Sequence, residues 1–238
     1  MDLNLLDTAH RPLATDFMTW VKICGMTNLE DALVAVDAGA DAVGFVFYEK
    51  SPRYVTVETA REICEKLPSR LDKVGVFVNE PAEKVSAIAD DAGLTAVQLH
   101  GDEYKSPERY SMQGKMFFCL PAVEIIRDLR GASGFWGFPN LPKSAGVLLD
   151  SGSQEQRGGT GKPFAWGEAV LLVSALKRKF PVVIAGGLTA GNVGWAADYL
   201  KPWGVDVVSG VEASPGKKDA EKVRAFVRAV REMDRRVS

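Results

Sequence analysis

Eight short, apolar, β-rich runs recur along the chain, and most gaps between them carry a helical pattern. The runs fall at 20–24 (WVKIC), 42–47 (AVGFVF), 73–78 (KVGVFV) and 96–100 (AVQLH). They continue at 115–120 (KMFFCL), 146–150 (GVLLD), 181–185 (PVVIA) and 205–210 (VDVVSG). Several are almost continuously apolar, as parallel strands covered by helices are. Helical spacing marks 28–38, 56–67, 81–92, 166–179, 189–200 and 217–232. In the first of these, Leu29, Ala32, Leu33 and Val36 share a face, and Thr27 with Glu30 reads as a capping box. Eight strand candidates, each followed by a helix or a possible helix, predict an α/β fold, a single closed (β/α)8 barrel over 20–238 with residues 1–19 as an N-terminal extension. The 238 residues fit the roughly 250 of one such barrel. An open doubly wound sheet is the alternative. No G-x-G-x-x-G follows the first run, which weakens its dinucleotide-binding form. The least regular stretch is 121–144, where VEIIRDL reads as a helix and 131–144 as a long Gly/Pro-rich loop.

Composition removes several classes of function. With Lys+Arg 29 against Asp+Glu 31, the net charge is −2, so no nucleic-acid partner is expected. Cys24, Cys64 and Cys119 have no paired spacing and read as reduced thiols of a cytoplasmic protein. Only His10 and His100 are present, without H-E-x-x-H or C-x-x-C, so no metal site is expected. The first 19 residues lack the apolar centre of a signal peptide, and no run approaches the roughly 18 apolar residues of a membrane span. The small net charge and the lack of an apolar surface stripe point to a monomer.

In a barrel of this kind, chemistry sits where strands end. Cys24 ends the first run just before a capped helix, whose N-terminus would favour a thiolate. A cysteine with apolar neighbours is also a common core residue. Lys22 has the same strand parity and points with Cys24 into the barrel, as a buried ion-pair partner or a Schiff-base lysine. Asp150 ends the apolar GVLLD run, where a carboxyl can act as an acid or merely cap a loop. Arg53, after the second run, can hold a carboxylate through a bidentate pair or simply be solvated. Gly186 and Gly187 after the seventh run, with Ser209 and Gly210 ending the eighth, form a phosphate signal: backbone N–H groups can approach an anion there. A plain chain turn is the bland alternative. His100 lines the pocket or satisfies the core. Cys64 and Cys119 read as packing, with Cys119 able to border the site. The glycine-rich 157–166 (RGGTGKPFAW) lacks the P-loop spacing and reads as a lid.

These residues, taken together, resemble the phosphoribosylanthranilate isomerase family. The similarity lies in VKICGMTNLEDA, GADAVGFVFYEKSPRYV, VGVFVNE, VQLHGDE, LLDS with GGTGKPFAW, AGGL and VDVVSGVEASPGKKD, in order, from Val21 to the last helix. The resemblance implies a cofactor-free Amadori rearrangement of a small phosphosugar in tryptophan biosynthesis. It implies Cys24 as general base and Asp150 as general acid. Arg53 would bind the anthranilate carboxylate, and Gly186, Gly187, Ser209 and Gly210 the phosphate. The chain departs from the family in its longer arm before Trp20 and across 115–144: family members often carry a lysine near the end of strand five, where this chain has Cys119-Leu120.

Overall fold

The computed structural model describes residues 18–110, 114–122, 141–150 and 166–237. Eight parallel strands close in chain order, with the last hydrogen-bonded to the first. They are β1 (Trp20–Cys24), β2 (Ala42–Val46), β3 (Asp72–Phe77) and β4 (Ala96–Leu99), then β5 (Lys115–Pro121), β6 (Ala145–Asp150), β7 (Val182–Ile184) and β8 (Gly204–Val207). The closed topology excludes the open doubly wound sheet.

Six α-helices lie among the described residues: α1 (Leu29–Asp37), α2 (Val57–Cys64), α3 (Ala82–Asp91), α4 (Trp166–Leu176), α5 (Val193–Leu200) and α6 (Ala220–Val237). After β4 come two 3-10 turns, Glu103–Lys105 and Pro107–Arg109. A small hairpin, β9 (Glu212–Ser214) and β10 (Lys217–Lys218), stands between β8 and α6. The helix expected at 123–129, the 131–140 part of the long loop, the 157–165 part of the glycine-rich loop and residues 1–17 lie outside the described residues.

Three local expectations need correction. The α1 cap is Asn28, one residue later than expected: its Oδ1 accepts the Asp31 N–H at 2.9 Å and its Nδ2 donates to the Asp31 carboxylate at 2.9 Å. Thr27 is otherwise engaged, donating its hydroxyl to the Gly216 carbonyl. Helix α5 starts at Val193 rather than 189, because Asn192 accepts the Thr189 N–H and donates to the Gly187 carbonyl, closing a turn ahead of it. Helix α6 starts at Ala220 rather than 217, since Lys217 and Lys218 belong to β10 and Asp219 Oδ1 accepts the N–H groups of Glu221 and Lys222.

The strand register places one set of alternating residues inside the barrel. Its lower part is apolar: Trp20, Ala42, Val74, Ala96, Phe117, Leu148 and Val183 form one buried cluster. Trp20 stacks on Phe117 at 5.4 Å and on Trp203 at 5.1 Å between ring centroids. Moving two residues up the strands changes the chemistry. Lys22 follows Trp20, Gln98 follows Ala96, Cys119 follows Phe117, Asp150 follows Leu148 and Asp206 follows Gly204. A second, larger apolar cluster fills the space between strands and helices, with Val21, Ile23, Phe45, Phe77, Leu99 and Leu149 facing outward into it. Aromatic rings bury about 150–250 Å² each, so this floor and outer shell hold the barrel while its C-terminal end carries polar groups.

Candidate active site

Cys24 is the last residue of β1 and is 3% exposed. The chain leaves the strand through Gly25, whose φ of +83° suits glycine, and the N–H groups of Gly25 and Met26 both donate to the Gly44 carbonyl. Gly44 on β2 also makes the space for the sulfur. A Cβ there would stand 2.6 Å from Cys24 Sγ and 2.9 Å from Lys22 Cε. Lys22 is 1% exposed and donates to Gln98 Oε1 at 2.6 Å and Asp206 Oδ2 at 3.1 Å. This is the buried ion-pair partner of the two roles the sequence allowed.

The thiolate expectation for Cys24 meets a counterforce. Burial pushes the thiol above its ordinary value and Asp206 adds to the rise, while Lys22 and Lys218 oppose it. The α1 macrodipole acts within its first turn, and Cys24 precedes even the Asn28 cap. Cys64 lies in the outer apolar shell, where burial raises it to about 11, in keeping with a packing role.

Arg53 reaches the same end of the barrel, its side chain lying beside Gly25. Its guanidinium is bound twice by Glu212: Nε to Oε1 at 2.8 Å and Nη2 to Oε2 at 2.7 Å. Hydrogen bonding to Glu212 holds the guanidinium above its ordinary value despite burial. Glu212 also accepts from Lys218 Nζ at 3.1 Å and the Gly216 N–H at 3.2 Å. Lys218 is fully enclosed and donates to the Cys24 carbonyl at 2.6 Å as well. Asp31, in the first turn of α1, accepts the Lys218 N–H at 2.8 Å and Lys217 Nζ at 3.0 Å. The β9–β10 hairpin is thus bolted to β1, α1 and the loop after β2.

Asp150 ends β6 and is 9% exposed. It lies within electrostatic range of Cys119 and Asp206, and Asp206 is within range of Cys24. Asp206 therefore stands electrostatically between the two groups singled out for acid–base work. His100 follows β4, with Nδ1 3.2 Å from Gln98 Nε2 and Nε2 3.5 Å from Cys119 Sγ. Cys119 does border this region, and burial drives its thiol well above the ordinary value, with Asp150 adding to the rise.

Gly186 (φ +86°) and Gly187 (φ +64°) turn the chain after β7, in backbone conformations that favour glycine. Ser209 and Gly210 form a 3-10 turn after β8. The two turns touch: a methyl group on Gly210 would overlap the Leu188 carbonyl oxygen. Among the described residues, the N–H groups of Gly186, Gly187, Ser209 and Gly210 donate to no backbone carbonyl. Backbone N–H groups left over in two touching turns are of the kind that can take an anion. No cluster of metal-binding side chains occurs among the described residues.

Sequence reasoning gave no role to Gln98, which it placed at the end of the fourth run, or to Asp206, Glu212, Lys218 and Asp31. Gln98 and Asp206 were detectable as polar residues at inward parity within apolar runs.

Polar chemistry gathered at the C-terminal rim of a barrel with an apolar floor is the arrangement of a (β/α)8-barrel enzyme. Comparison with known proteins narrows this. The family model described as N-(5'-phosphoribosyl)anthranilate (PRA) isomerase matches residues 21–229. The N-(5'-phosphoribosyl)anthranilate isomerase of Pelobacter propionicus is 47% identical over 218 residues, covering 90% of this chain and 97% of that protein. The crystal structure of phosphoribosyl anthranilate isomerase from Thermotoga maritima is 40% identical, with a TM-score of 0.74, and covers 90% of this chain and 100% of its own. A further isomerase structure, in complex with reduced 1-(o-carboxyphenylamino)-1-deoxyribulose 5-phosphate, is 39% identical, with a TM-score of 0.70 and the same coverage. The chain belongs to the N-(5'-phosphoribosyl)anthranilate isomerase family.

Proposed function

We propose that this chain converts N-(5'-phosphoribosyl)anthranilate to 1-(2-carboxyphenylamino)-1-deoxyribulose 5-phosphate, the isomerisation of tryptophan biosynthesis, without metal or organic cofactor. The family match across residues 21–229 carries the reading. The rim supports it with a buried thiol, a carboxyl, a bound arginine and a double glycine turn.

Asp150 gives its proton to the ribose ring oxygen, the C1–O bond breaks, and the nitrogen lone pair forms an iminium at C1. The Cys24 thiolate takes the proton from C2, and the C2–H electrons form the enolamine. Proton return to C1 and loss of the C2 hydroxyl proton give the ketone. The adjacent iminium cation acidifies C2–H and also favours the thiolate against the burial that opposes it. Each placed proton transfer contributes about 10²–10⁴ in rate.

Glu212 occupies Nε and one edge of Nη2, leaving the Nη1–Nη2 fork of Arg53 for the anthranilate carboxylate. The N–H groups of Gly186, Gly187, Ser209 and Gly210 would take the phosphate. We assign the chain to the cytoplasm, where buried free thiols such as Cys24, Cys64 and Cys119 stay reduced. We also assign it a monomeric state, which light scattering in solution would check. No described helix is long and apolar enough to cross a membrane.

The test is a fluorescence assay on phosphoribosylanthranilate generated in place from anthranilate and phosphoribosyl pyrophosphate. Wild type should consume it. Cys24→Ala and Asp150→Asn should each lose about 10²-fold or more in kcat while staying folded. A folded wild type without turnover would overturn the activity, and an active Cys24→Ala would overturn the base.

A further inference from the structure

Lys22 sits directly below Cys24 on the inner face of β1, and both side chains lean against Gly44. One Cβ position at Gly44 falls within 3 Å of Lys22 Cε and of Cys24 Sγ. An ammonium has three N–H donors. Lys22 directs two of them to Gln98 and Asp206, on opposite sides of the barrel interior. One of the three is committed to neither, and the Cys24 sulfur lies against the same Gly44 position as the end of the Lys22 stem.

Other charges face Cys24, and they differ in what they can give it. Lys218 on β10 commits its ammonium to the Cys24 carbonyl at 2.6 Å, Glu212 at 3.1 Å and the Val208 carbonyl at 3.4 Å. Arg53, from the loop after β2, shares that same Glu212. Their charge is answered by a carboxylate held by two bonds to Arg53 and one to Lys218. Asp206 on β8 answers Lys22 through Oδ2 alone, and its Oδ1 has no hydrogen-bond partner among the described residues.

We infer that Lys22 is the resident counter-cation of the Cys24 sulfur, a positioning residue that acts from beneath it, and that Asp206 sets how much of that charge the sulfur receives. The coupling runs both ways. Burial disfavours the Lys22 ammonium, yet Asp206 and Cys24 outweigh it and hold the group above its ordinary value. On the sulfur, Lys22 is the largest influence opposing burial. The catalytic meaning rests on Cys24 being the base, as proposed above; the electrostatic coupling does not.

The experiment reads the thiol itself rather than turnover. The rate of Cys24 carbamidomethylation by iodoacetamide is followed against pH, with peptide mapping to separate it from Cys64 and Cys119. Three proteins are compared: wild type, Asp206→Asn, and Lys22→Met with Asp206→Asn. In the double variant both charges go together and no buried ion is stranded, whereas in Asp206→Asn the Lys22 ammonium keeps Gln98 and the neighbouring sulfur. Asp206→Asn should move the titration midpoint down, because Lys22 is then answered only by the sulfur. The double variant should move it up, and alkylation below the midpoint should slow about tenfold for every pH unit by which the midpoint rises. A purely structural role would not move the two in opposite directions.

Midpoints that stay put, or move the same way in both variants, overturn the inference. Should the double variant fail to fold, Asp206→Asn carries the test alone, and an unchanged or raised midpoint refutes it. If Cys24→Ala keeps its turnover while the alkylation midpoints split as expected, the base assignment has failed and the coupling stands.

Discussion

Glu212 grips Arg53 with two parallel hydrogen bonds, 2.8 and 2.7 Å long, and both side chains are largely withdrawn from solvent. A long, flexible side chain is thereby fixed before any ligand arrives. Pre-orienting a binding group this way lowers the entropy lost on binding.

Glu212→Gln should therefore raise KM for phosphoribosylanthranilate by about tenfold, roughly 1.4 kcal/mol of affinity, while kcat changes much less. Glutamine keeps one acceptor but loses the charge and the second arm of the fork. Steady-state kinetics separate the two parameters. An unchanged KM would mean that Arg53 does not hold the substrate carboxylate.

Gly44 has no side chain because the Cys24 sulfur and the Lys22 stem occupy that place. In Gly44→Ala the new methyl must displace one of them. Overpacking of this kind costs about 1–3 kcal/mol. Activity should fall further than that loss of stability explains, since the displaced atoms belong to Cys24, the proposed base, and to Lys22 beneath it. Denaturant melts alongside kcat measurements would show it; a variant with wild-type kcat would place the base elsewhere.

Much of this was legible in the chain, and the remainder shows where sequence reading stops. The eight strands announced themselves because buried parallel strands are apolar on both faces. Cys24 and Asp150 stood out as polar ends of apolar runs, and parity placed Lys22 below Cys24. Lys218 was invisible for a different reason. It lies in a charged KKD run that reads as the exposed start of a helix, and its partner, the Cys24 carbonyl, is 194 residues away. The Arg53–Glu212 pair spans 159 residues, and neither side chain marks the other in the sequence. The Thr27 cap failed similarly: a local rule lost to the Gly216 carbonyl, 189 residues distant.

The contact between the last two barrel loops makes its own prediction. Gly210→Ala would drive a methyl group into the Leu188 carbonyl and separate the 3-10 turn from the Gly186–Gly187 turn. Phosphate-bearing ligands should then bind at least about tenfold more weakly, and the matching ligand without its phosphate should be little affected. Isothermal titration with a product analogue and its dephosphorylated form would decide. Equal weakening of both would point to general loosening of the barrel instead.

The hairpin anchor gives a pH-dependent prediction. Burial raises the Asp31 carboxyl, but the Lys218 N–H, Asn28 and Lys217 outweigh it, so the group sits below its ordinary 3.8. Glu212 is likewise below 4.5, because Arg53 and Lys218 overcome its burial. A carboxyl depressed in the folded state contributes stability that is present above its unfolded value and is lost as pH falls through its folded value. Asp31→Asn should therefore be about 1–3 kcal/mol less stable than wild type at pH 7, from the lost charged hydrogen bonds. That gap should hold down to about pH 5 and then close as wild-type Asp31 is protonated in its turn. Urea melts at a series of pH values from 7 to below 3.8 measure it directly. A gap that stayed constant down to the acid end would show that the clamp works through shape rather than charge, and that Lys217 and Lys218 hold the hairpin without the Asp31 carboxylate.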